Sequence, residues 1–361
     1  MICLKRTIGA LILALCSSWA GAAEEENSID PQVFNREAVY NFALKSLKPL
    51  RVQNLRGRIF VKAWAQEKIR VKALLQVETL PNGADAAFQA MDVTLRDRPG
   101  RWELLAVYGK GLPMRRKLEE RKNPVASIDL EISAPGGLPL EIVQVGQPVE
   151  VEGWNGPIGI FGPEGQVFLR NIDTPLAEIN CPGCSATISR FKGELKIMGG
   201  EGTVFLEEVS GRDLFVHTTG GSVSGRKLQT TGVFDLGGGN LKLTDVSGSV
   251  QFQTRSGSVE LEGVSGSLSG RTETGSLSAF VENWKSSGRD FIESDTGPIT
   301  LHVGKLEAMD FDVRPGLGTL DLDPIWNPVI KKTERKSENT LRVHSQSGAV
   351  KVLSWKPEKR G

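Results

Sequence analysis

Cys181-Pro182-Gly183-Cys184 has the residue spacing of a redox motif. Such a pair exchanges disulfides when the first cysteine sits at a helix N-terminus in a βαβ unit, which favours its thiolate. Here the next residues, Ser185 to Ile197, alternate apolar and polar as a strand does. The favoured reading is therefore a disulfide between Cys181 and Cys184 that pins one turn in an oxidising compartment. A metal centre would need two more ligands nearby, and the sequence offers none.

The three histidines, His217, His302 and His344, are scattered along the chain. A hydrolytic triad would need a serine poised beside one of them. Nearly every serine instead belongs to a repeated Gly-Ser turn, so all three histidines read as surface residues. Nonapeptide calcium rolls place an aspartate in each turn. Only Asp235 and Asp245, near Gly237-Gly238-Gly239, are reminiscent of that pattern. The expected catalytic, cofactor-binding and metal sets are accordingly empty. Two tryptophans, Trp284 and Trp326, fall where the repeat is interrupted. If a ligand site exists, the loops carrying them are where it is expected. The competing reading, which is favoured, has these indoles covering an exposed sheet edge.

The scaffold for these residues is written in a nine-residue beat. TDVSGSVQFQTRSGSVEL (244–261) and EGVSGSLSGRTETGSLSA (262–279) align without a gap, each as two half-units of nine. Gly239, Gly248, Gly257, Gly266 and Gly275 keep that step, with one-residue slips near Cys184 and Asp213. A short fixed period is the signature of a stacked architecture. Within a half-unit Val259 and Leu261 face one way, and Ser258 and Glu260 the other. Glycine and serine then break the strand. Two strands and two corners close a coil of about 18 residues, so Val246 should stack on Val264, Val250 on Leu268 and Phe252 on Gly270. Val259 should likewise sit on Leu277, and Leu261 on Ala279.

The expected fold is all-β: a parallel β-solenoid over 151–355, interrupted at 281–287 and 323–339, after an irregular strand-rich region at 23–150. TLRVHSQSGAVKVL (340–353) is expected to close the stack, following a degenerate coil at 309–322. Upstream, 69–78 and 127–133 read as strands, and 91–109 as a hairpin turning near Arg98-Pro99-Gly100. Glu37–Leu47 suits a short helix or a strand, and its strand neighbours favour the strand.

Residues 1–22 read as a cleavable signal peptide, with Lys5-Arg6, an apolar stretch Ile8–Leu15 and Ala20-Gly21-Ala22. That stretch is shorter than the roughly 20 residues a membrane span needs. Bulky Leu15 before Cys16 disfavours lipidation there. Without Lys5 and Arg6, 42 basic residues face 43 acidic ones, a balance that does not suit a nucleic-acid surface. The expected location is the periplasm or cell surface, with no integral membrane segment in the mature chain.

LRVQNLRGRIFVKAW (50–64), IDLEISAPGGLPLEI (128–142) and the Gly-Ser half-units from Gly156 onward resemble a bacterial envelope family known as putative adhesins. That resemblance implies an extracytoplasmic β-solenoid of unknown function and brings no catalytic residues with it. The expected role is a non-enzymatic binding or scaffold module whose partner is an unidentified envelope protein or glycan. The alternative is a carbohydrate-active β-helix of the polysaccharide lyase or hydrolase type. Such an enzyme would need paired acidic and basic groups on one outer face, usually with aromatic platforms. The outward positions Lys242, Gln251, Glu260, Ser269 and Ser278 are short or singly charged, without aromatics or a repeated carboxylate pair.

Overall fold

The computed structural model describes residues 32–109, 125–162, 164–285, 288–306, 310–326 and 340–354. The expected signal peptide, the basic run at Arg115-Arg116-Lys117 and most of 323–339 lie outside these residues. Among the described residues, no helix is long and apolar enough to cross a membrane.

The chain starts with β1 (Gln32–Ala43), β2 (Leu50–Asn54), β3 (Ile59–Trp64) and β4 (Lys68–Thr79). A short helix, α1 (Ala84–Gln89), then leads to the hairpin β5 (Met91–Arg98) and β6 (Arg101–Tyr108). β7 (Val125–Pro135), β8 (Leu140–Gln144) and β9 (Val149–Glu152) complete this part. The parallel ladder already begins here. β2 pairs in parallel with β8, and β3 with β9, so Leu50 to Trp64 forms a coil of the stack. On one face β4 and β1 extend the sheet antiparallel beyond β7; on the other, β5 pairs antiparallel with β6.

β10 (Ile158–Phe161) is followed by four long strands: β11 (Glu164–Cys181), β12 (Gly183–Gly199), β13 (Val204–Thr218) and β14 (Val223–Leu236). Shorter strands continue the winding: β15 (Leu241–Ser247), β16 (Val250–Thr254), β17 (Val259–Gly266), β18 (Leu268–Thr272) and β19 (Leu277–Trp284). The five expected stacking pairs all occur, including Phe252 on Gly270 and Leu261 on Ala279. Most strands alternate buried and exposed residues between corners, unlike the continuous apolar strands of a sheet covered on both sides. Water wets the outer face, so only alternate residues need be apolar. Val61, Val151, Leu169, Ile188 and Leu206 line one such inner row, fully buried.

Two kinds of corner close each coil. At the first the strand runs through, bent by one residue in the left-handed region: Gly153, Asn171, Arg190, Glu208, Lys227, Asp245 and Gly263, with φ between 51° and 69°. Each non-glycine residue there costs about 1–2 kcal/mol, less for Asn and Asp. The second corner is a short loop in which a buried hydroxyl holds a glycine three residues on. Thr272 Oγ1 accepts from the amide of Gly275 at 3.0 Å, and Ser345 Oγ from Gly348 at 2.8 Å. These glycines form a column, and a Cβ on any one would strike the backbone carbonyl of the coil beneath: Gly221 on Gly202, Gly239 on Gly221, Gly257 on Gly239.

The C-terminal coils depart from chain order. β20 (Arg289–Ser294) and β21 (Ile299–Leu306) are followed by β22 (Asp310–Arg314), β23 (Leu320–Leu322), β24 (Thr340–Ser345) and β25 (Val350–Ser354). β24 pairs with both β20 and β22, and β25 with both β21 and β23. Residues 340–354 therefore sit between the two preceding coils, and 310–322 forms the outer layer. This corrects the expectation that 340–353 closes the stack. Alternating sequence specifies a coil but not its neighbour, because the inner apolar rows of successive coils are interchangeable. The interruption at 281–287 is likewise shorter than expected, since β19 continues through Val281, paired with Val303, to Trp284.

Candidate functional site: an outer groove

Cys181 and Cys184 are joined in a disulfide with Cα atoms 5.3 Å apart. Cys184 takes a glycine's place within the column, between Gly165 on one side and Gly202 on the other. His217 Nδ1 lies 2.9 Å from Asp235 Oδ2 on the coil above, and the flanking residues of that row are Met198 and Gln253. His302 stacks on Phe280, ring centroids 4.3 Å apart, and burial lowers its pKa. His344 lies on β24, away from both. The structure thus keeps the histidines apart. Among the described residues no cluster of His, Cys, Asp and Glu has a metal-binding arrangement.

Both interruption tryptophans are covered, as the favoured reading has them, and the ligand-loop alternative loses its exposed indoles. Trp284 is 0% exposed and its Nε1 donates to Asp290 Oδ2 at 3.0 Å; Trp326 is 8% exposed. Neither indole is presented at the surface. Ser269, expected to face outward, is also covered.

A recess the sequence reading did not single out lies at the other end of the rod. It is a groove of about 670 Å³ on the outer face of β1, β4, β7, β3, β9 and β11. The pairings place one outward row across it: Val39, Lys72, Glu131, Phe60, Glu150 and Phe168. Sheet twist, accentuated in the long antiparallel strands β1 and β4, makes this face concave. Arg58 pairs with Asp129 at 3.1 Å, Lys72 with Glu131 at 3.6 Å, and Arg170 with Glu150 at 2.7 Å. The Arg170 guanidinium also stands 5.6 Å from the Phe168 ring. Such exposed pairs add little stability, but they satisfy the charges around Phe60, Leu74 and Phe168. The same row continues to Thr187 and Phe205, the latter 36% exposed. Phe60, Phe168 and Phe205 thus occupy every second strand, about 10 Å apart along the rod.

No known family matches the chain, and no curated protein does either. It is similar to several solved structures. One is a putative cell adhesion protein from Clostridium sporogenes, 11% identical, covering 89% of this chain and 100% of that one, with a TM-score of 0.21. A putative adhesin from Parabacteroides distasonis is 9% identical over 88% of this chain and 97% of its own, TM-score 0.31. One from Bacteroides fragilis is 12% identical with the same coverages, TM-score 0.27. At these scores the likeness carries no argument about what the chain does.

Proposed function

We propose that this chain is an exported, non-enzymatic envelope protein that holds a partner protein against the outer groove at the N-terminal end of its solenoid. The observation that carries this reading is the row Phe60–Phe168–Phe205, three aromatic side chains at outward positions that the alternation reserves for polar residues. Aromatic groups exposed within a rim of charge are the usual anchors of protein interfaces. The rim charges Arg58 and Asp129, Lys72 and Glu131, and Arg170 and Glu150 are already paired, which suits a surface that gains by covering its apolar centre rather than by transferring protons.

The test is site-specific photocrosslinking in the producing cell, with the reactive group at Phe60 or, on the opposite face, at Gln253. A single envelope protein captured from position 60 and not from 253 is the expected result. Equal capture from both positions, or none, removes the groove reading. N-terminal sequencing of the same material tests export, with the mature chain expected to begin after Ala22.

A further inference from the structure

A second recess, of about 700 Å³, lies at the corner of the first coils, away from the phenylalanine row. It is bordered by Trp64 at the end of β3, the turn Gln66-Glu67, Asn155, and the corner residues Asn171 and Asp173. Of the tryptophans in the described residues, Trp102, Trp154, Trp284 and Trp326 are buried, and Trp64 alone is partly exposed. Its orientation is set by its own chain: Nε1 donates to the Lys68 carbonyl at 2.8 Å, and Lys68 Nζ stands 5.6 Å from the ring centroid. Trp154, 0% exposed and anchored on the Leu138 carbonyl at 2.9 Å, backs the recess beneath Gly136 and Gly137.

Around this indole the polar groups are exposed and uncommitted. Among the described residues, the side chains of Gln66, Glu67, Asn155 and Asn171 make no hydrogen bond or ion pair. Asp173 is held by Lys192 at 3.0 Å, with its second oxygen outside that bond. Asn171 has φ 55°, so the fold fixes the backbone that carries its amide.

We infer that this corner is a binding subsite for a neutral pyranose residue of a glycan. A sugar ring has one face of C–H bonds and an equator of hydroxyls. The first suits a fixed indole, and the second suits amides and carboxylates that both donate and accept. Glu67 and Asp173 set the charge preference, since they repel uronic or sialic acids. The subsite is separate from the groove, so a glycan and a protein partner can be held together.

The test is calorimetric titration of the full chain with cellotetraose, chitotetraose and mannotetraose as probes. At least one should bind. Trp64→Ala should weaken that binding by about tenfold or more, as expected on loss of an anchoring tryptophan, while Trp64→Phe retains most of it. Asn171→Gly, which keeps the left-handed backbone and deletes only the amide, should weaken it several-fold with unchanged thermal unfolding. Phe60→Ser in the groove should leave it unaltered. No binding of any of the three probes, or parental affinity in either Trp64→Ala or Asn171→Gly, overturns the assignment.

Discussion

Thr272 Oγ1 accepts a hydrogen bond from the amide of Gly275 across the same three-residue step that joins Cys181 to Cys184. The two pairs occupy equivalent corners, because Cys184 stands in the column of which Gly275 is a later member. The CPGC motif is thus the covalent form of a contact that later coils make with a hydroxyl and an amide. A bridge closing so short a loop contributes about 2 kcal/mol through the unfolded state, and a hydrogen bond about 1 kcal/mol. The double variant Cys181→Thr, Cys184→Gly should therefore lose about 1 kcal/mol and unfold slightly below the parent. Cys184→Gly alone should fall further, because it strands buried Cys181. Thermal unfolding by circular dichroism ranks the three; equal losses in both variants would contradict the equivalence.

The glycine column makes a sharper demand. At Gly257, with φ 124°, an added Cβ would press on the Gly239 carbonyl, whereas at Gly100, with φ 83°, it would meet nothing within 4 Å. Gly257→Ala combines overpacking with backbone strain and should cost about 3 kcal/mol. Gly100→Ala carries only the strain, about 1 kcal/mol. Urea denaturation of both variants measures the difference.

The other corner predicts a gain. Arg190 sits at φ 51°, where glycine escapes the left-handed penalty of about 1–2 kcal/mol while losing about 0.5–1 kcal/mol to chain entropy. Arg190→Gly should leave stability unchanged or raise it by up to about 1 kcal/mol. A clear drop in melting temperature would mean that the side chain contributes more than its conformation costs.

Tyr108 gives the fold an alkaline limit. Its Oη lies 2.5 Å from the Arg56 carbonyl and 3.0 Å from Asn54 Oδ1, and accepts from the Ile128 amide at 3.1 Å. Burial drives its pKa well above the ordinary phenol range. Because the folded value exceeds the unfolded one, near 10, this contribution is complete below about pH 10 and is lost as pH climbs toward the folded value. Tyr108→Phe should cost about 1–3 kcal/mol at neutral pH and flatten that alkaline decline. Denaturation at pH 8 and pH 11, set as about neutral and about fully alkaline conditions for a phenol, would show both effects.

Deleting residues 340–361 should unseat more than it removes. With β24 and β25 gone, β22 and β23 lose the parallel neighbours they have among the described residues. Hydrogen exchange should then show Asp310–Leu322 unprotected while Leu241–Ser294 stays protected. Retained protection at 310–322 would mean that this coil can dock on β20 and β21 directly.

Much of this architecture can be read without coordinates, and the parts that cannot have identifiable causes. The period fixed which residues stack, so Val250 on Leu268 and Phe252 on Gly270 follow from spacing alone. It does not encode which coil lies next to which, as the placement of β24 between β20 and β22 shows. The aromatic row left a trace: Ile59-Phe60-Val61, Val167-Phe168-Leu169 and Val204-Phe205-Leu206 each put a phenylalanine where alternation points outward. Three apolar residues in succession read as core unless the parity of the strand is followed. Trp284 and Trp326 left two readings open, because a tryptophan in an interrupted repeat can either meet a ligand or cover a sheet edge, and only their burial favours the second.

The intercalation of Thr340–Ser354 also bears on time. A winding that adds each coil to the one before can keep pace with an emerging polypeptide from Leu50 as far as Leu306. The next segment to appear, Asp310–Leu322, precedes the layer it rests on in the finished fold. Unless it first docks on β20 and β21, it waits unpaired until Thr340–Ser354 has been made, and the far end of the rod then assembles in one step.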